Sequence, residues 1–310
     1  MVERRGMGRR QLLSLGAALV AGRALGACRS KPIAAIADAA TTDVPWASGG
    51  TAAMIGKAAY PNPFASLAAP TSCVATCELT QGPCYSSQSI ETRDISYGHP
   101  GLPMRMAIQV LDEACKPVAG AVVDVWHVSA EGKYSGNDEE HEDVGFCTGG
   151  DEEFASHLYF RGKQTTDAGG VVLFDTCYPG WYRGRTVHVH LTIDVGGQAY
   201  VTTQLCFDDA LDDEIVKTQA LYATRGARDT TNAEDGVFSG SEVGASLFET
   251  KKLPDGAMLA WKRIVVRSSL AEALCGGGGG WGGHGGPGRG PPPGGPGGRH
   301  PPAFGDFPPP

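Results

Sequence analysis

Apolar and polar residues alternate along several short stretches of the chain. Between residues 186 and 195, Val187, Val189, Leu191, Ile193 and Val195 occupy every second position, the period of a strand with one buried face. Met104, Met106, Ile108 and Val110 repeat the pattern over residues 104–111, against Arg105 and Gln109. Cys115-Lys116-Pro117 then marks a turn before an apolar stretch at 121–128, and Asp167-Ala168-Gly169-Gly170 marks another before 171–174. Residues 199–207 and 256–267 supply two further strands, and a short helix near 211–222 is the one helical element expected. Short strands punctuated by turns predict an all-β fold, an antiparallel β-sandwich.

The hairpin around Gly196-Gly197-Gln198 has a readable register. A three-residue loop sets Val195 against Ala199, Ile193 against Val201 and Val189 against Leu205, so the apolar faces agree. A two-residue loop would set Ile193 against Tyr200 and mismatch the whole ladder. The favoured register puts Gln204 across from His190 and Cys206 across from His188, with Cys206 read as a small apolar filler.

The two ends of the chain have other compositions. Arg4, Arg5, Arg9 and Arg10 precede an apolar segment at 12–25, which is too short for a comfortable membrane span and reads as an export signal over residues 1–27. Arg9-Arg10-Gln11-Leu12-Leu13 is similar to the twin-arginine pattern. Leu25-Gly26-Ala27-Cys28 resembles a bacterial lipobox, making Cys28 the candidate lipid anchor of a periplasmic or cell-surface protein. Residues 28–72, rich in Ala, Thr, Ser and Pro, are expected to be a tether, residues 73–270 the folded domain, and residues 271–310 a disordered Gly/Pro-rich tail.

Cysteine usage agrees with export. Of the nine cysteines, setting Cys28 aside leaves eight, enough for up to four disulfides of undetermined connectivity. A formal charge of −8 without any long basic run excludes nucleic acid as the expected partner. The acidic clusters at 138–143 and 208–214 read as solvated surface.

Chemistry concentrates between Cys177 and His190. His188 and His190 leave the strand on its non-core face, about 6.6 Å apart along the chain, close enough for one ion to reach both. A copper or zinc site completed by water is one reading of that pair. Tyr182 and Tyr178 lie just upstream, and a phenol must lose its proton to bind a metal well, which suits a hard ion such as Fe(III) better than Zn(II).

The frame Pro179-Gly180-Trp181-Tyr182-x-x-Arg185-x-x-His188-x-His190 resembles the intradiol ring-cleavage dioxygenases. Trp126-His127-x-x-Ala130-x-Gly132-x-Tyr134, Thr166-Asp167-x-x-Gly170 and Gln204 extend the resemblance from about residue 80 to 267. The resemblance implies a β-sandwich catalytic domain and a non-haem Fe(III) held by Tyr134, Tyr182, His188 and His190, Tyr182 being preferred to Tyr178 because it follows Pro-Gly-x. It also implies that Tyr182 leaves the metal and takes a substrate proton, that Arg185 stabilises developing charge, and that Gln204 orients the reactants. The implied partners are a small aromatic diol and O2, and the implied product a cis,cis-muconate-type diacid. Only six residues separate Tyr182 from His188, fewer than in the catechol and protocatechuate enzymes, and a helical dimerisation segment is not evident, so substrate and oligomeric state stay open. The alternative is a lipid-tethered binding module for iron or an aromatic ligand that does not turn over.

Overall fold

The computed structural model describes residues 44–54, 62–137, 143–238, 242–272 and 275. The export signal, Cys28, the first part of the expected tether, and nearly all of the expected tail lie outside these residues.

Among the described residues eight strands form two four-stranded sheets. The first, in the order β4-β1-β8-β7, comprises β4 (Val171–Cys177), β1 (Pro103–Asp112), β8 (Met258–Val266) and β7 (Glu249–Lys252). The second, in the order β3-β2-β5-β6, comprises β3 (Arg161–Thr165), β2 (Val122–Trp126), β5 (His188–Val195) and β6 (Gln198–Cys206). All pairings are antiparallel except β1 with β8, which is parallel.

The alternation in sequence becomes two inward faces. Met104, Met106, Ile108 and Val110 of β1 meet Val123 and Val125 of β2 and Val189, Leu191 and Ile193 of β5 in one buried cluster. Each such side chain contributes about 1.5–3 kcal/mol by leaving water. Among the described residues five short α-helices lie outside the sheets: α1 (Val144–Thr148), α2 (Glu152–Ser156), α3 (Asp209–Thr218), α4 (Ala220–Ala223) and α5 (Glu242–Ser246). Asp208 caps α3 by accepting from the backbone N–H groups of Ala210 and Leu211.

The outer faces are covered as well, and this departs from the expectation of a simple alternation with solvent. Arg105 is fully buried and pairs at 2.9 Å with Asp175, directly opposite on β4. Its cover is the stretch 44–54, expected to be tether: Gly50 N donates to Gly101 O at 2.8 Å, Thr51 Oγ1 to Asp94 at 2.8 Å, and Trp46 packs against the main core. Phe64 fills a second apolar cluster with Ala107 and Val171. The folded unit therefore extends N-terminal of Cys73, and Cys77–Cys275 ties it to a position within the expected tail.

Residues 76–96 form a strap around the sandwich edges. Leu79 N donates to Thr202 O on β6, Lys163 N on β3 donates to Ile90 O, and Asp175 N on β4 donates to Arg93 O. Among the described residues two disulfides hold the strap, Cys77–Cys275 and Cys84–Cys147, and a third, Cys73–Cys115, ties down the chain just ahead of it. Cys177 and Cys206 are buried free thiols.

The hairpin register agrees with expectation from Ile193↔Val201 through His190↔Gln204 to His188↔Cys206, and differs at the turn. The loop has two residues, Gly196 and Gly197, both at positive φ as a type I′ turn requires, so Val195 faces Gln198. A register shift between Ile193 and Asp194 absorbs one extra residue on β6 and restores the facing of the apolar positions.

Candidate metal centre

The histidine pair stands at one end of the outer face of the second sheet. His188 and His190 are 1% and 3% exposed because the strap and the Tyr134 loop roof them over. The Trp126 ring on β2 stacks on His190 at 5.0 Å, and Tyr85 of the strap meets Trp126 edge-on. Gly82 passes so close that a Cβ there would lie 3.3 Å from His190 Cε1.

Two loops bring the tyrosines. Tyr134 follows β2 between Gly132 and Gly136, both at positive φ, and its N–H donates to Cys147 O at 2.7 Å, next to the Cys84–Cys147 bond. Tyr182 opens a tight turn in which Arg185 N donates to Tyr182 O at 3.2 Å. Glycines allow the loops to touch. A Cβ on Gly180 would stand 2.2 Å from Ala130 O, and one on Gly132 would stand 2.4 Å from Trp181 O.

Four side-chain atoms converge as a result. Tyr134 Oη lies 3.0 Å from His190 Nε2 and 3.2 Å from His188 Nε2. The two Nε2 atoms are 3.1 Å apart, and Tyr182 Oη lies 3.2 Å from His188 Nε2 and 3.5 Å from Tyr134 Oη. Tyr178, the competing phenol, points elsewhere: its hydroxyl donates to Asp212 and its ring packs on Phe207. Asp212, part of an acidic run expected to be solvated, is fully buried and also pairs with Arg228.

The protonation states of the two histidines leave nitrogen lone pairs available to a metal ion. Burial, reinforced by the Arg185 charge for His188 and by His188 and Arg185 for His190, holds both imidazoles well below the ordinary histidine value, so both are neutral at pH 7. His188 Nδ1–H donates to Thr186 O at 2.6 Å, which leaves the Nε2 lone pair facing the cluster. Burial and the neighbouring Tyr182 push the Tyr134 phenol well above its usual value, and a bound cation would reverse that. No group of three His, Cys, Asp or Glu suited to a metal occurs among the described residues; the donor set is complete only with its two phenols. The nearby sulfurs of Cys84 and Cys147 are joined to each other and offer no thiolate. Two phenols and two neutral imidazoles in a buried site fit Fe(III).

Arg185 and Gln204 border the cluster. Arg185 Nη1 donates to Tyr182 Oη at 3.3 Å and Nη2 to Gln204 Oε1, while Gln204 Nε2 donates to Thr80 O at 2.7 Å. Sequence reasoning did not find Asp235, whose carboxylate receives Arg185 Nε at 2.9 and 3.1 Å, nor Arg161, which lies over the Tyr134 ring. Both act across long separations, and no local pattern in the sequence marks either.

Asp124, two residues before Trp126 on the same face of β2, gives the site region a pH dependence. Burial pushes its carboxyl up to about 6, against the opposing effects of a Ser89 hydrogen bond and the charges of Lys163 and Arg161. A raised carboxyl holds its proton in the folded state after the unfolded chain has lost it. Its contribution is therefore complete below pH about 4 and declines up to about 6, by at most about 1.4 kcal/mol per unit. Asp124→Asn is expected to remove that slope, and urea melts of both proteins at pH 4 to 7 measure it. A wild-type-minus-variant difference that does not change over this range contradicts the assignment.

Comparison with known proteins assigns the chain to a family. The profile of a family described as Dioxygenase matches residues 80–242, a little over half of the chain. By that match the chain belongs to the intradiol ring-cleavage dioxygenase family. It is similar to the chlorocatechol 1,2-dioxygenase of Pseudomonas sp. (strain P51), with 31% identity over 150 residues, 42% of this chain and 53% of that protein. It is also 31% identical, over 116 residues, to the chlorocatechol 1,2-dioxygenase of Rhodococcus opacus, covering 35% of this chain and 45% of that protein. The chain thus spans about half the length of the curated relatives it matches. Among solved structures, the intradiol ring-cleavage dioxygenase of Tetranychus urticae is 25% identical with a TM-score of 0.56, covering 65% of this chain and 98% of that one.

Proposed function

We propose that Tyr134, Tyr182, His188 and His190 hold a non-haem Fe(III) ion and that the protein cleaves a catechol-type ring between its two hydroxyls with O2, giving a cis,cis-muconate-type diacid. The observation that carries this reading is the convergence of two phenol oxygens and two Nε2 atoms at 3.0–3.5 Å. When bound, Fe(III) supplies the positive charge that favours ionised catechol and makes its ring reactive towards O2.

The protein's own groups account for the rest. Tyr182 is the least buried of the four donors, so it is the one an incoming diol meets, and its phenolate is placed to take a hydroxyl proton. Arg185 places a guanidinium beside that oxygen, where negative charge develops, and Gln204 supplies an oriented amide. Chlorinated catechols belong in the substrate panel because chlorocatechol enzymes are among the relatives.

Oxygen uptake by iron-loaded protein with catechol, protocatechuate, hydroxyquinol and chlorinated catechols tests the reading. Uptake with at least one and a visible tyrosinate-to-iron band are expected; stoichiometric iron without that band refutes the two-tyrosine site. Coloured protein with no uptake is instead the binding module. Tyr182→Phe should retain iron, shift the band and slow turnover about 10²-fold or more, the range for a lost proton-transfer group. Tyr178→Phe should keep iron and most activity, while losing about 1–3 kcal/mol of stability because Asp212 loses a buried donor. The reverse pattern would assign the wrong tyrosine.

We also propose export and anchoring through Cys28. The three disulfides support an oxidising compartment. Cys28→Ser should move the protein from the membrane fraction to the soluble one; soluble wild-type protein with another mature N-terminus disproves the anchor.

A further inference from the structure

We propose that Asp235 is the positioning residue for Arg185: it fixes the guanidinium so that its two outer nitrogens reach Tyr182 and Gln204. The inference rests on the catalytic reading of the site given above, and its geometry is separate from that of the four donors.

Asp235 lies in the 231–237 turn, where its own N–H donates to Thr231 O at 3.1 Å and its side chain is fully buried. The carboxylate accepts from three groups. Arg185 Nε approaches both oxygens at 2.9 and 3.1 Å, Thr186 N donates to Oδ2 at 2.8 Å, and Val237 N donates to Oδ1 at 2.8 Å. Two of these bonds come from consecutive residues, Arg185 and Thr186, just ahead of β5. The carboxylate therefore fixes both where the Arg185 backbone enters that strand and which way its side chain leaves.

Planarity turns this anchor into aim. The guanidinium is rigid and planar, so anchoring Nε on the carboxylate restricts where its two Nη atoms can lie. Nη1 then meets Tyr182 Oη at 3.3 Å and Nη2 meets Gln204 Oε1. Arg185 retains 17% side-chain exposure, so without the anchor the side chain has an open route to solvent.

Asn232 gives an internal comparison. It belongs to the same turn and holds it through Thr186 Oγ1 at 2.7 Å and Phe207 O at 2.6 Å, but it makes no hydrogen bond to Arg185 among the described residues. A residue that merely holds the turn should behave like Asn232; one that aims Arg185 should not.

The test uses the full-length, iron-loaded protein with Asp235→Asn, Asn232→Ala, Arg185→Gln and the Arg185→Gln/Asp235→Asn double variant. Each is titrated with 4-nitrocatechol, followed in the visible, and assayed by oxygen uptake. Asp235→Asn should keep its iron and resting colour, bind 4-nitrocatechol about 10-fold more weakly and lose about 100-fold in kcat/KM, the scale of a misplaced catalytic contact. Asn232→Ala should lower the thermal midpoint but leave both parameters within about threefold, the usual effect of a change outside the contact. The double variant should be no less active than Arg185→Gln, and more thermostable, because Arg185→Gln alone leaves a buried carboxylate without its cation. Asp235→Asn with wild-type binding and turnover overturns the proposal, as does a double variant whose losses multiply. If Asp235→Asn does not fold, the stability order of the other two decides: a double variant less stable than Arg185→Gln overturns it. Wild-type protein that binds 4-nitrocatechol but consumes no O2 refutes ring cleavage alone, and the binding shift still tests Asp235. Wild-type protein that does not bind the probe refutes both.

Discussion

Replacing His190 with alanine is expected to strip the protein of iron, lowering the metal content at a given free iron concentration by about tenfold or more, since even partners behind a ligand are worth 10–100-fold. His190 Nε2 is within 3.1 Å of both His188 Nε2 and Tyr134 Oη. Its ring also fills the space between Trp126 and Gly82 and stands opposite Gln204. Alanine removes a donor and opens a cavity in the layer that holds the others. His127 is the control. It is equally buried, but it uses Nε2 on Thr176 Oγ1 at 2.8 Å and Nδ1 on Val128 O at 2.8 Å, away from the cluster. His127→Gln should therefore keep its iron even where it is less stable. Metal analysis and the visible band measure both, and a His190→Ala protein with full iron and unchanged colour would falsify the four-donor site.

The second large effect is expected from a single methyl group at Gly180. Its φ does not lie in the left-handed region, so space and not conformation excludes a side chain. A Cβ would stand 2.2 Å from Ala130 O and 2.7 Å from Ser129 O, while Gly180 N donates to Ser129 O at 3.0 Å. The atoms in the way are backbone and cannot rotate aside. Gly180→Ala must separate the Tyr134 and Tyr182 loops, at about 1–3 kcal/mol for overpacking and about 2–12 °C in thermal midpoint, and the visible band should shift because two donors move apart. Gly184→Ala provides the contrast, since Gly184 has φ +78° but open space around it. It should lose stability from backbone strain alone, about 1 kcal/mol, and leave the colour unchanged. A Gly180→Ala protein with an unchanged visible band would disprove the close-approach argument.

Much of this was legible in the sequence because period-2 alternation survives in strands with one apolar face. Val189, Leu191 and Ile193 read as a core face, and they are one. Two strands were not legible. Arg161–Thr165 and Glu249–Lys252 carry almost no apolar residues and are strands only because β2 and β8 offer them partners. The burial of Arg105, His188 and His190 was equally hidden, because the segments that cover them, 44–54 and 76–96, have no periodicity of their own. The hairpin turn was misread by one residue because a bulge can restore register after a tighter loop. At the site, His188, His190, Tyr182 and Arg185 announce themselves by local spacing. Asp235 sits fifty positions beyond Arg185 in an acidic turn like any other, and no local pattern distinguishes a carboxylate that is going to be buried.

The parallel pairing of β1 with β8 sets the order in which the molecule can be assembled. Among the described strands β8 is the last to leave the ribosome, yet it lies inside its sheet, between β1 and β7. Until it arrives, β1 has β4 on one side and a bare hydrogen-bonding edge on the other. Cys77, meanwhile, waits for a partner 198 positions downstream. Such pairing is slow, and its open edge is prone to aggregation. A chain truncated before residue 258 is therefore expected to be insoluble rather than merely less stable, because the free edge of β1 stays bare.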